Sequence, residues 1–231
     1  MMQVLAMHGW AGQAGTWSHW RQRFEDGGAR WSSADRGYSG GETVAPAWPP
    51  GPGRNLLIAH SLGLHLLPAA LLAQAQADAV VLLGSFSAFV PHGRAGRAVA
   101  VALKGMQAAL GTDEELMMLE RFLDKAASPH ARSALPPAPL LQGLTSLGRQ
   151  RLQQDLELLA RCQSLPTGWP EAVPVLVVQG EQDAVVHAAS AQQLIDDLGA
   201  QPLTLHRDPN WGHALITPTV LSVVQQWLGA L

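Results

Sequence analysis

The chain has 231 residues, just under half of them hydrophobic, and a formal net charge of −3. That length suits one domain, or one domain carrying an insertion, with enough apolar surface to bury a core without metals or disulfides. The charge excludes the basic excess of a nucleic-acid binder. The single cysteine, Cys162, excludes an intramolecular disulfide and fits a reducing compartment.

Met1 to Met7 is apolar but too short for a signal segment or a membrane span, and no apolar run reaches 18 residues. A cytoplasmic protein that does not enter a membrane is expected. Gln3–Met7 is predicted as the first strand, Arg30–Ser33 as a weaker second and Asn55–Ala59 as a third. Ala79–Leu83, Val173–Gln179 and Pro202–His206 complete six. Uninterrupted runs such as LLI, VVLL and VLVV mark strands buried on both faces, as in a parallel sheet. Helices are predicted over Thr16–Arg23, Leu62–Ala75, Ala188–Leu198 and Pro218–Leu228, the last with Thr217 as N-cap and Pro218 in its first turn. Pro68 conflicts with an unbroken helix and predicts a kink or a shortening there.

From Ser85 to Glu171 the alternation stops. Arg94–Leu110, Asp113–Ala126 and Leu147–Cys162 read as helices joined by Pro-rich turns, with acids at 113–115 where a helix dipole favours them. The expected organisation is an α/β core of residues 1–84 and 172–231, a parallel sheet of about six strands flanked by helices, with 85–171 inserted as a helical cap. The cap is slightly basic and the remainder acidic, which hints at an acidic partner.

Four short stretches carry chemistry. Ala59-His60-Ser61-Leu62-Gly63 follows an apolar strand and opens a helix, the context of a nucleophile elbow. Small residues are needed two places before and after the serine because the turn is tight. Here Ala59 stands where glycine is usual, and a plain serine N-cap is the bland alternative. His8-Gly9-Trp10 follows the first strand, where an acyl-transfer site needs a loop N–H, so Trp10 and Leu62 are the expected oxyanion donors. Asp183, in Gly180-Glu181-Gln182-Asp183, follows the fifth strand and can accept from a histidine Nδ1; Glu181 falls earlier in the turn. His213, in Asn210-Trp211-Gly212-His213, follows the sixth strand and supplies a base that titrates near neutrality. Of the other histidines, His8 and His60 flank the site and shape it, His65 lies on the following helix and His206 within a strand. No HExxH or paired Cys/His spacing is present, so neither metal nor cofactor is expected. The order Ser61, Asp183, His213, each after its own strand, is that of the α/β-hydrolase fold.

The stretch MHGWAGQAGTW resembles the start of the pimeloyl-acyl-carrier-protein methyl ester carboxylesterases of biotin synthesis. Three features of the insertion resemble the same family: Leu103-Lys104-Gly105-Met106-Gln107, Glu120-Arg121-Phe122-Leu123, and Leu141-Gln142-Gly143-Leu144 followed by a segment with Asp155-Leu156. The resemblance implies hydrolysis of a terminal methyl ester on a carrier-bound pimeloyl chain; separately, a monomer is expected. The resemblance also implies Trp10 and Phe122 at the acyl chain, and Arg121, with Arg132 and Arg149 as looser matches, pairing with the acidic acyl-carrier protein. Met117 departs from it, since better-known members have arginine there. The alternatives are a general carboxylesterase or thioesterase on small acyl substrates, and a hydrolase-fold protein that binds a ligand without turning it over.

Overall fold

A computed structural model describes residues 1–74 and 77–231. Six strands form one sheet: β1 (Met2–Met7), β2 (Arg30–Ala34), β3 (Arg54–His60), β4 (Ala79–Leu83), β5 (Val175–Gly180) and β6 (Leu203–Asp208). The order is β2-β1-β3-β4-β5-β6 and every neighbouring pair is parallel. β5 begins two residues later than expected, because Pro174 has no N–H to give to a ladder.

Strand side chains alternate between two buried faces. Val4, Ala6, Leu56, Ile58, Val81 and Val178 pack on one side with Trp17, Trp20 and Val224. Leu5, Met7, Leu57, Val80, Leu82 and Val177 pack on the other with Leu72, Leu194 and Leu198. Each aliphatic side chain taken fully out of water contributes about 1.5–3 kcal/mol, which is why both faces must be covered.

The covering helices are α1 (Ser18–Asp26), α2 (Ala69–Gln74), α6 (Ala188–Leu198) and α7 (Pro218–Leu228). Thr217 Oγ1 caps α7 by accepting from Val220 N–H at 3.3 Å. The helix expected over Leu62–Ala75 is instead a 3-10 turn, Ser61–Leu66, then an extended Leu67, then α2; its expected end at Ala75 lies outside the described residues. Pro68 is the cause: its ring disfavours helical backbone at the residue before it.

Between β4 and β5 lie α3 (Gly93–Ala109), α4 (Glu115–Ala127) and α5 (Ser146–Arg161), with 3-10 turns at Arg132–Ala134 and Pro139–Gln142. Of the acids at 113–115 only Glu115 falls within the first turn of α4. Thr145 caps α5, accepting from Gly148 N–H at 3.0 Å. Leu103, Leu119, Leu152 and Leu156 of this segment share a cluster with Trp10, Tyr38, Leu62 and Phe86, so the three helices pack over the carboxyl ends of the central strands.

Candidate active site

Sheet order places the site. From β1 the chain steps to one side for β2, returns past β1 to β3, and then advances steadily to β6. The loops leaving β1 and β3 therefore part in opposite directions and open a crevice, the usual ligand position in such sheets.

Ser61 leaves β3 with φ of 55°, the left-handed region that a non-glycine residue avoids, and is 6% exposed. Such strain persists only where the surroundings impose it. Gly63 allows the turn: a Cβ there would lie 2.5 Å from the Met7 carbonyl oxygen and 2.9 Å from that of His8. Gly9 is similarly confined, its Cβ position 2.8 Å from Ser61 Cβ. The sequence pattern of small residues is thus the record of β1 and β3 exits packed backbone to backbone.

His213 and Asp183 come together at the ends of β5 and β6. His213 Nδ1 and Asp183 Oδ2 are 2.8 Å apart, and Asp183 Oδ1 accepts from Val185 and Val186 N–H, both at 2.8 Å. Burial alone would raise the Asp183 pKa; the charge and hydrogen bond of His213 and the two backbone donors outweigh it and hold the carboxyl below the usual range. Asp183 is thus an ionised acceptor that presents Nε2 of His213 to the cavity. Glu181 is exposed and forms no part of this pair.

Two neighbours hold the histidine. His60 Nε2–H donates to the His213 carbonyl at 2.9 Å, with the rings 4.8 Å apart. Desolvation, reinforced by His213, depresses the His60 pKa to about 3, so it works as a neutral donor. Gly84, with φ of 52°, sits where a Cβ would lie 3.3 Å from His213 Nδ1. Sequence reasoning missed Gly84, although a glycine directly after the buried strand AVVLL was the available signal.

Ser61 and His213 line one cavity of about 140 Å3. The Ser61 Oγ–His213 hydrogen bond is not made in this conformation among the described residues, as is common where catalytic contacts tighten only around substrate. Trp10 and Phe122 also line the cavity, their rings edge to face at 4.7 Å, and Trp10 Nε1–H donates to the Leu152 carbonyl at 3.0 Å. Leu62 is fully buried directly after the serine. Among the described residues no Asp, Glu, Lys or Arg lines the cavity; Gln13, Thr16, Ser39 and Thr217 add neutral polar groups to the histidines and Ser61, and the rest of the wall is aliphatic, glycine, proline and aromatic.

The arginines of the helical segment are not brought together. Arg149 is clasped by Glu115 through two hydrogen bonds of 2.5 and 2.8 Å, an internal tie between α5 and α4 rather than a free cation. Arg132 pairs with Asp124 at 2.9 Å and Glu120 at 3.8 Å. Arg121 is exposed and has no ion pair among the described residues. A second missed group is a cluster of half-buried Arg36 with buried Tyr38 and Asp155. Asp155 accepts from the Arg36 guanidinium at 2.8 and 2.6 Å and from the Tyr38 hydroxyl at 2.5 Å. A 119-residue separation in sequence hid it. Among the described residues no group of side chains could hold a metal ion, and no helix is long and apolar enough to cross a membrane.

The family model for serine aminopeptidases of the S33 type matches residues 45–219. No curated protein matches the sequence. Among solved structures the chain is similar to a bromoperoxidase from Bacillus anthracis (TM-score 0.72, 15% identity, 98% of this chain and 91% of that one). It is similar to the esterase EaEST from Exiguobacterium antarcticum (0.67, 19%, 98% and 90%). It is also similar to the esterase RhEst1 from Rhodococcus sp. ECU1013 (0.60, 18%, 99% and 90%). At these identities the structures speak to the fold, a six-stranded parallel sheet flanked by helices, while the family model spans well over half of the sequence. With that match, the chain belongs to the serine aminopeptidase S33 family of α/β hydrolases.

Proposed function

We propose that the chain is a serine carboxylesterase, with residues 85–171 as its cap, that hydrolyses the methyl ester of a pimeloyl chain carried on acyl-carrier protein. The observation that carries the esterase reading is the placement of Ser61, in a strained turn, in an uncharged cavity that His213 also lines, with Asp183 behind it. Ser61 Oγ attacks the ester carbonyl while His213 Nε2 takes its proton, and Asp183 stabilises the imidazolium. Trp10 and Leu62 N–H groups hold the oxyanion. The alcohol leaves with the proton from His213, which then deprotonates a water that attacks the acyl-enzyme and releases the acid.

The finer substrate rests on the resemblance in the His8-Gly9-Trp10 loop and the cap. It is supported by the meeting of Trp10 and Phe122 at the cavity, as that resemblance implies. The cavity approaches the size of an engineered ~150 Å3 site that holds one benzene ring, so it accommodates the ester end of the chain while the rest extends through the mouth. An amino-terminal substrate fits less well, because no carboxylate lines the cavity to receive an ammonium group. Of the three arginines, Arg121 is the one left available to an acidic carrier.

The test offers carrier-bound pimeloyl methyl ester and weighs the product. Loss of one methylene unit of mass, absent in Ser61→Ala, is expected. Arg121→Glu should slow this reaction and spare a small chromogenic ester. Turnover of small esters with none of the carrier-bound one favours the second reading, a general carboxylesterase or thioesterase, which the small cavity also suits.

A further inference from the structure

His8, immediately before the oxyanion loop, is 1% exposed. Its Nε2 faces the Arg36 N–H at 3.1 Å and Asp35 Oδ1 at 3.6 Å; whether the ring is neutral and accepts from Arg36 or is charged against Asp35, Nδ1 carries a hydrogen. Nδ1–H then donates to the Gly9 carbonyl at 2.8 Å, and Gly12 N–H donates to the same oxygen at 3.1 Å. The Gly9–Trp10 peptide is trans and planar, so a carbonyl held on one side sends the Trp10 N–H to the other. Gly9 itself abuts Ser61. The orientation of the proposed oxyanion donor is therefore set by His8 together with the Gly12 N–H, and that of His8 by the Arg36 backbone and the Asp35 carboxylate.

Arg36 is in turn held by the cap. Its guanidinium is bidentate on Asp155, which is 3% exposed and also accepts from Tyr38. Asp155 lies one turn after Leu152 on the same face of α5, and the Leu152 carbonyl accepts from the Trp10 ring. One face of a cap helix thus grips the oxyanion loop at two points, the Trp10 side chain directly and the Gly9–Trp10 peptide through Arg36 and His8. Asp155 is buried while the Arg36 side chain is 30% exposed, and the bidentate geometry fixes the plane of the guanidinium.

We propose that Asp155 is a positioning residue for catalysis, acting through Arg36 and His8 to aim the Trp10 N–H at the oxyanion, so that the oxyanion hole is complete only with the cap seated. The proposal rests on the reading of Ser61 as an acyl-transfer nucleophile. In the full chain, Asp155→Asn removes the charge and keeps the shape. Expected are a native circular dichroism spectrum, KM for a p-nitrophenyl ester within about twofold, and kcat lowered about 10- to 100-fold, short of the 10²–10³ for outright loss of a donor. Affinity for an alkyl trifluoromethyl ketone, whose serine adduct carries the oxyanion, falls by the same factor. A residue that merely seats the cap would change KM or thermal stability and leave kcat and ketone affinity in step with wild type, and that result overturns the proposal.

Should Asp155→Asn fail to fold, two variants at His8 decide. His8→Asn keeps a donor near the position of Nδ1, whereas His8→Leu removes it. A kcat at least about tenfold higher for the first supports the relay, and equal values overturn it. Turnover that survives Ser61→Ala removes the reading beneath the proposal, and is separately visible.

Discussion

Replacing Gly63 by alanine perturbs the site at its tightest backbone contact. A Cβ there would lie 2.5 Å from the Met7 oxygen, 2.9 Å from the His8 oxygen and 3.1 Å from the Met7 carbonyl carbon. All three are main-chain atoms, so no side chain can swing aside. Restoring an ordinary separation of about 3.4 Å requires the β1 exit and the Ser61 turn to part by roughly 0.9 Å. The β1 exit carries Gly9 and Trp10, so the displacement falls between the proposed nucleophile and the proposed oxyanion donor. A misplacement of about 1 Å costs on the order of 100-fold in rate, and overpacking of this kind about 1–3 kcal/mol in stability. In a chain of this length each kcal/mol shifts Tm by about 2–4 °C. Gly105→Ala is the control. It lies within α3 with nothing within 4 Å of its Cβ position, and alanine there raises stability by about 0.5–1 kcal/mol. Steady-state kinetics on a small ester and a melting curve suffice. Wild-type kcat in a folded Gly63→Ala would refute the view that this backbone contact registers the two halves of the site.

Asp183→Asn keeps the shape of the acceptor but permits the wrong His213 tautomer, and kcat should fall about 10⁴-fold with little change in KM, read by single-turnover acylation. His60 gives a pH signature. The unfolded chain protonates it near 6.5 and the native chain only near 3, so stability declines as pH falls through that window, by on the order of 4 kcal/mol in all. As pH falls from 7 to 3 the urea midpoint of wild type should drop relative to that of His60→Gln; parallel curves would refute the assignment. Arg149→Ala should lower Tm and leave the ratio of carrier-bound to small-ester turnover unchanged, because Arg149 ties α5 to Glu115 on α4; a selective loss on the carrier substrate would return it to the docking face.

Much of this molecule was legible from local pattern. Runs such as AVVLL could be satisfied only by a sheet covered on both faces, and β4, α6 and α7 fall at their expected bounds because burial, an N-cap and Pro218 are encoded within a few residues. The serine, aspartate and histidine could be named in order because each follows its own strand. Local pattern misjudged the stretch after Ser61, where Pro68 leaves a 3-10 turn rather than a long helix. It could not separate Arg121, which is exposed, from Arg149 and Arg132, whose partners sit on another helix or across a turn. Nor could it join Arg36 to Asp155 or set Gly84 beside His213. Periodicity reports which face of an element is buried, whereas such pairings depend on how elements distant in sequence are stacked, and only the tertiary structure decides that.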